Sequence, residues 1–386
     1  MRKQVLLAVA FAAALVVAAV VWTAATAVCT SGSGWSWPGT YTSGPLGSNE
    51  VLPAVKGHTL LALWSGVAGN TPTQHRALMQ QRITDMGRVP DLIGFSCSGS
   101  CMPGSSGHDL SSTNLAENWI HSLGAVPWAT NWSPGGRDYA GIAAGNYDSQ
   151  IDATANRFKQ FGHRIMVRMF EEFDLRTWNT QDFISAWRHI VDRFKADGAT
   201  NVGFIWCPTE QAGGRRTQIN ATYPGDAYVD WVSSDYYNHD SLGAYAAARN
   251  GWNEFSWIFN YQLSGQPSME QQWGPRKPYF VSETGSKYDT ANVPSGHTVD
   301  PNRKKNWFIN ITTAAGQMPY LIGVNFFDED VHIFEPGNNW RVDSPCDSAG
   351  NNCTNGSTDP NTYSGFLSMA GSPQFNGGVA GGNTRR

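Results

Sequence analysis

The chain has 386 residues, 27 Lys and Arg against 31 Asp and Glu, and a formal net charge of −4. Without a basic excess it offers no surface for neutralising phosphates, so nucleic acid is not an expected partner. Sixteen Trp and thirteen Tyr suit a large core as well as ring platforms for sugars.

Arg2 and Lys3 precede an apolar run from Val5 to Trp22, and Ala25-Thr26-Ala27 follows. A positive start, an apolar stretch and a small-x-small site describe a secretory signal over residues 1–27. The alternative is an uncleaved membrane anchor, because the run is long. With the signal removed, a secreted protein with no stable membrane partner is expected. About 360 residues remain, enough for one large barrel or two ordinary domains. Export permits disulfides. Cys97 and Cys101 bracket one polar loop and Cys346 and Cys353 another, while Cys207 lies in a strand-like run and reads as a buried thiol, with pairing to Cys29 as the alternative. Zinc would need further ligands near these pairs, and only His108 is at hand. No metal and no cofactor are expected.

Residues 28–57 are rich in Gly, Ser, Pro and Trp and read as an irregular lead-in. A strand–helix alternation then begins. Strands are expected over 59–65, 91–96, 126–132, 164–173, 201–207, 229–237, 278–286 and 321–327. Helices are expected from Thr71-Pro72 to Met86, over 114–123, 147–161, from Asn179 or Thr180 to Gly198, within 241–264, and over 302–315. In the helix after residue 179, Phe183, Ala186, Trp187, Ile190, Val191 and Phe194 recur at the 3.6-residue spacing. The tail from 341 is Gly/Asn/Ser-rich and carries little expected core. This order predicts an α/β (β/α)8 TIM barrel over 58–340, with 341–386 packed on it or trailing it. A doubly wound open sheet would carry a Gly-rich phosphate turn after an early strand, and none is present. A monomer is expected.

In such a barrel the site lies where strands run into loops at the C-terminal face. The fourth strand ends in Glu171-Glu172 and the seventh in Glu283-Thr284-Gly285. Two carboxyls across a cleft, one protonated and one ionised, can cleave a glycosidic bond. Side chains alternate along a strand, so Arg168, Phe170 and Glu172 are expected on one face and Glu171 with Val167 and Met169 on the other. An arginine belongs beside carboxylates at the mouth, which selects Glu172 and makes Arg168 the partner of the nucleophile. Glu210, Asp235 and Asp328 end other strands and read as hydrogen-bonding groups. Trp132, Trp178 and Trp206 are candidates for the cleft as well as for the core.

Arg168-Met169-Phe170-Glu171-Glu172-Phe173-Asp174 resembles the Arg-Pro-x-His-Glu-Met-Asn signature of glycoside hydrolase family 26, the β-mannanase family of the retaining (β/α)8 clan A. Tyr223-Pro-Gly-Asp-Ala-Tyr-Val-Asp-Trp-Val232 and Lys277-Pro278 through Gly285 are similar to its run into strand six and to its nucleophile strand, and Gly145-Asn-Tyr-Asp148 has the family's look. The resemblance covers roughly 58–335. It implies Glu172 as acid/base, Glu283 as nucleophile, and Tyr237 as the hydroxyl bonded to the nucleophile. Glu171 and Asp174 stand where the family has His and Asn, positions that shape the sugar subsites. The function implied is a secreted retaining β-glycoside hydrolase, endo-acting on a polysaccharide or oligosaccharide such as β-1,4-mannan. The rival readings are a clan member acting on another β-glucan, xylan or microbial glycan, a non-catalytic carbohydrate-binding barrel, and a metal hydrolase built on Asp328, Glu329 and Asp330 with His332.

Overall fold

A computed structural model describes residues 51–379 apart from residue 56 and segments 68–71, 97–114, 176–177, 211–215, 239–251, 261–266, 288–299, 331–339 and 345–357. The expected signal peptide and both loop cysteine pairs lie outside the described residues.

Eight parallel strands close into one barrel, each hydrogen-bonded to the next and the last to the first. They are β1 (Leu60–Val67), β2 (Leu92–Phe95), β3 (Val126–Trp132), β4 (Ile165–Met169), β5 (Val202–Trp206), β6 (Trp231–Asp235), β7 (Tyr279–Thr284) and β8 (Leu321–Asp330). Parallel neighbours need crossovers, and helices supply them. In chain order these are α1 (Pro72–Met86), α2 (Ala116–Ser122), α3 (Tyr139–Ala143), α4 (Asp148–Phe161), α5 (Thr180–Ala196), α6 (Arg216–Ala221), α7 (Phe255–Asn260), α8 (Met269–Trp273), α9 (Arg303–Gly316) and α10 (Pro360–Ala370). Among the described residues no helix is long and apolar enough to cross a membrane.

Local chemistry sets the ends of these elements. Asn179 Oδ1 accepts the Asp182 amide at 3.0 Å and so caps α5, satisfying one of the orphan donors of its first turn. The six periodic apolar residues of α5 are all buried, as their spacing requires. Helix α4 stops at Gly162, whose φ of 74° is the left-handed conformation that glycine adopts without steric cost.

Two apolar layers follow from the strand alternation. Leu60, Ala62, Leu92, Val126, Trp128, Met166, Ile205, Trp231, Phe280 and Ile322 fill the barrel interior. Val51 and Leu52, fully or almost fully buried, close its lower end. The opposite strand faces pack against the helices in a second, larger layer. Gly203 gives room to Met166, whose Sδ would stand 2.7 Å from an added Cβ.

The C-terminal segment corrects the expectation of a tail with little core. Helix α10 packs on α9 and buries Phe366, Met369 and Ala370, and Phe375 follows them inside. Burying one such phenylalanine contributes about 2 kcal/mol. Its cap is Asp359, which accepts the Asn361 and Thr362 amides. The Gly/Asn/Ser composition conceals this helix because its apolar residues are few and confined to one face.

Candidate active site

The fully buried Arg168 guanidinium stands at the centre of the barrel mouth, 5.5 Å above the Trp128 ring. Its Nε donates to the Thr130 carbonyl. Nη1 donates to Asp235 Oδ2 at 2.6 Å. Nη2 serves two carboxylates, Glu171 Oε2 at 3.2 Å and Glu283 Oε1. One cation thus collects acids from β4, β6 and β7.

Glu283 is held from both sides. Arg168 bonds one carboxylate oxygen, and the Tyr237 hydroxyl donates to the other at 2.5 Å. Both donors fix the direction of the carboxylate. Tyr237 lies against Trp340 with ring centroids 4.5 Å apart, and Lys287 Nζ sits 5.5 Å from the centroid of the same indole. Trp340 belongs to the mouth, and no strand or apolar period in the sequence leads to it.

Glu172 behaves differently. Its carboxyl is pushed up to about 8, first by burial, then by the charges of Glu283 and Glu171. Among the described residues it makes no ion pair, whereas Glu283 and Glu171 both pair with Arg168. Two neighbouring carboxyls with environments that push them apart can divide the roles of proton donor and nucleophile.

Neither glutamate follows simple strand alternation. Strand β4 ends at Met169, and Phe170 and Glu172 take φ of 53° and 43°. Left-handed backbone is costly for residues with a Cβ, by roughly 1–2 kcal/mol each. It turns Phe170 out of Arg168's face and into the helix layer, against Tyr139 and Phe183. Phe170 therefore leaves the face expected for it and Glu171, expected on the opposite face, reaches Arg168, because the strand ends before the pattern can run; Glu172 still meets Arg168 at the mouth. On β7 the pairing with β6 shifts, from Ser234 opposite Val281 to Asp235 opposite Glu283. Val281 packs outward, and strict alternation would send Glu283 after it. The irregularity re-aims the carboxylate, a common use of bulges beside sites.

Other candidates lie elsewhere. Trp132 and Trp206 are fully buried in the helix-facing layer, Trp132 against Phe194 and Trp206 against Phe173, Tyr223 and Trp273. They are core residues, corrected from the cleft. Trp178 is half-buried, edge-on to Phe173. Asp174 is fully buried and accepts the Thr209 amide at 2.8 Å and hydroxyl at 2.6 Å, so it ties two loops together and does not line an open subsite. Glu210 accepts from Ser234 Oγ and pairs with Arg216. Asp328 is held by Arg82, Ser65 and the Val342 amide, and Glu329 by Trp64 Nε1. With Asp328 and Glu329 committed to these donors, they form no open ligand cluster. Cys207 is buried and unpaired, and burial pushes its thiol up.

No protein-family model matches the chain. Endoglucanase H of Acetivibrio thermocellus is 28% identical over 219 residues, 51% of this chain and 24% of that protein. A β-1,3-xylanase of a Vibrio species is 30% identical over 175 residues, 43% of this chain and 32% of the relative. The chain spans less than a third of the length of either relative. Among solved structures, the family 26 endo-β-1,4-mannanase domain of Bacillus sp. JAMB-750 is similar with TM-score 0.54 and 16% identity, over 83% of this chain and 90% of that one. A modular endo-β-1,4-mannanase of Cellulomonas fimi gives TM-score 0.52 and 16% identity, over 84% and 73%. At that identity the structural likeness is one of fold, the (β/α)8 barrel. All four are glycoside hydrolases by name.

Proposed function

We propose that this chain is a secreted retaining β-glycoside hydrolase, endo-acting on a neutral polysaccharide such as β-1,4-mannan. The observation that supports it best is the contrast between two neighbouring glutamates. Glu283 is gripped by Arg168 and Tyr237 as a carboxylate. Glu172, beside it without an ion pair among the described residues, keeps its proton to about pH 8.

In the first step the Glu283 carboxylate attacks the anomeric carbon while Glu172 gives its proton to the glycosidic oxygen. The bond to the leaving sugar breaks and a glycosyl ester forms on Glu283. In the second step Glu172, now ionised, takes a proton from water, whose oxygen attacks the same carbon and releases Glu283. Two inversions retain the anomeric configuration. Arg168 and Tyr237 keep Glu283 aimed at the anomeric carbon in both steps.

A second reading, the same chemistry on a β-glucan or β-xylan, is favoured by the matches to an endoglucanase and a β-1,3-xylanase, at higher identity than any mannanase reaches here. A polysaccharide panel with chain-length and anomer analysis separates the two. The Glu283→Ala variant is expected to lose hydrolysis by at least about a thousandfold while melting like the wild type. Full activity in that variant would sink the assignment.

A further inference from the structure

Glu171 stands beside the two glutamates without a part in the reaction as written. Its carboxylate is about a third exposed at the mouth. Asn131 Nδ2 donates to one oxygen at 2.7 Å and Arg168 Nη2 to the other at 3.2 Å. An ionised carboxylate, which only accepts, satisfies both donors. The same Nη2 also bonds Glu283.

Glu171 is not needed to place Arg168. That guanidinium is already fixed by the Thr130 carbonyl, by Asp235 and by Glu283, and the contact to Glu171 is the longest of its bonds to oxygen. Nor is Glu171 needed to close the core, since its side chain is exposed where Phe170 and Phe173 on either side are buried. What it adds is charge at a fixed point.

Resting on the glycosidase reading above, we propose that Glu171 is a positioning residue of the reaction. Anchored by Asn131 and sharing one nitrogen of Arg168 with Glu283, it keeps a fixed negative charge beside Glu172, so that Glu172 holds its proton for the leaving oxygen. A negative neighbour disfavours loss of a second proton. Its charge also offsets part of that of Arg168, which by itself favours the ionised form of Glu172. The charged and titratable groups facing Glu172 are Glu171, Arg168 and Asp174 from β4 and the turn after it, Asp235 and Tyr237 from β6 and its end, and Glu283 from β7. Of these acids Glu171 is the most open to solvent, with a side chain about a third exposed, and it is the one anchored by Asn131.

The test is the pH profile of kcat/KM on the polysaccharide that the wild type hydrolyses, with a thermal melt of each variant. Glu171→Gln keeps the size and the Asn131 contact and removes the charge. It is expected to move the basic limb to lower pH by about one unit, with little change in melting. Glu171→Asp keeps the charge and is expected to keep the limb near its wild-type position. Asn131→Ala, which frees the carboxylate to swing outward, is expected to move the limb the same way by less. An unmoved limb in folded Glu171→Gln overturns the proposal, as does an equal shift in Glu171→Asp. If Glu171→Gln does not fold, an unmoved limb in Asn131→Ala overturns it instead. A wild type that cleaves no β-glycan removes the glycosidase reading and this proposal together, whereas an active wild type with an unmoved limb removes this proposal alone.

Discussion

Two buried charge clusters lie at the upper rim of the barrel, and they are built on opposite terms. Beside β8, Arg82, Arg341 and Lys304 face Asp328, Asp343 and Asp359. Arg82 bonds Asp328 and Asp343, Arg341 bonds Asp343, and Lys304 Nζ donates to the carbonyls of Arg341 and Ser344. Two arginines pair with the aspartates, burial lowers Lys304 to about 7, and the polar network pins residues 340–344 to the barrel. At the mouth, by contrast, one described cation, Arg168, serves Glu171, Asp235 and Glu283, with Glu172 beside them. A balanced cluster has no reason to hold spare protons. An acid-rich one must hold them, because that many neighbouring carboxylates cannot all ionise around a single guanidinium. Imbalance of charge, more than burial, separates the reactive cluster from the structural one.

The comparison breaks most severely at Arg168. In Arg168→Met three carboxylates lose their common partner, and activity is expected to fall at least about a hundredfold along with the melting temperature. Steady-state kinetics and calorimetry check both. Next in size, Arg82→Met should destabilise by about 3–5 kcal/mol in denaturant unfolding, because it strands buried Asp328 and takes one of two arginines from Asp343. The pH profile of whatever activity remains should match the wild type; a shifted profile would mean that the two clusters are not separate.

A third effect falls on stability, depends on pH and has a definite sign. Burial, Glu283 and Glu171 raise Glu172 from its ordinary value of 4.5 to about 8 in the folded protein. The folded state then binds a proton that the unfolded chain has lost between those values. The stability that Glu172 contributes is full below pH 4.5 and is lost as pH rises through about 8. Glu172→Gln is therefore expected to melt higher than the wild type at pH 8 and equally at pH 4, by differential scanning calorimetry. No difference at pH 8 would contradict the raised value.

The sequence carried the barrel because its signals are local and repeated. Short apolar runs, a Pro start, an Asn cap and Gly exits each act within a few residues, and the alternation of types leaves few architectures. Helix α10 was hidden because a one-sided helix in polar company has no run to see. At the site, the sequence pointed to Arg168, Glu171, Glu172, Tyr237 and Glu283 as chemistry in search of a partner, and the barrel gathers them. What it concealed was direction. Alternation assumes an unbroken strand, and β4 stops at Met169 while β7 slips at Glu283. Trp206 illustrates the converse. Strand β5 does alternate, and alternation sends its ring to the helices, whereas Trp132 reaches them through the register shift of β3 between Ala129 and Trp132. Trp340 depends on the fold of residues 340–344 around Arg82, which no pattern near it announces.

The left-handed backbone at Phe170 and Glu172 has a consequence for how the proton donor is aimed. The left-handed main chain sets the direction in which the Glu172 side chain leaves the turn, and Phe170 wedged among Tyr139 and Phe183 keeps that main chain from relaxing. The entropy of orienting the donor is thus lost once, when the chain folds, and not again each time a glycan arrives.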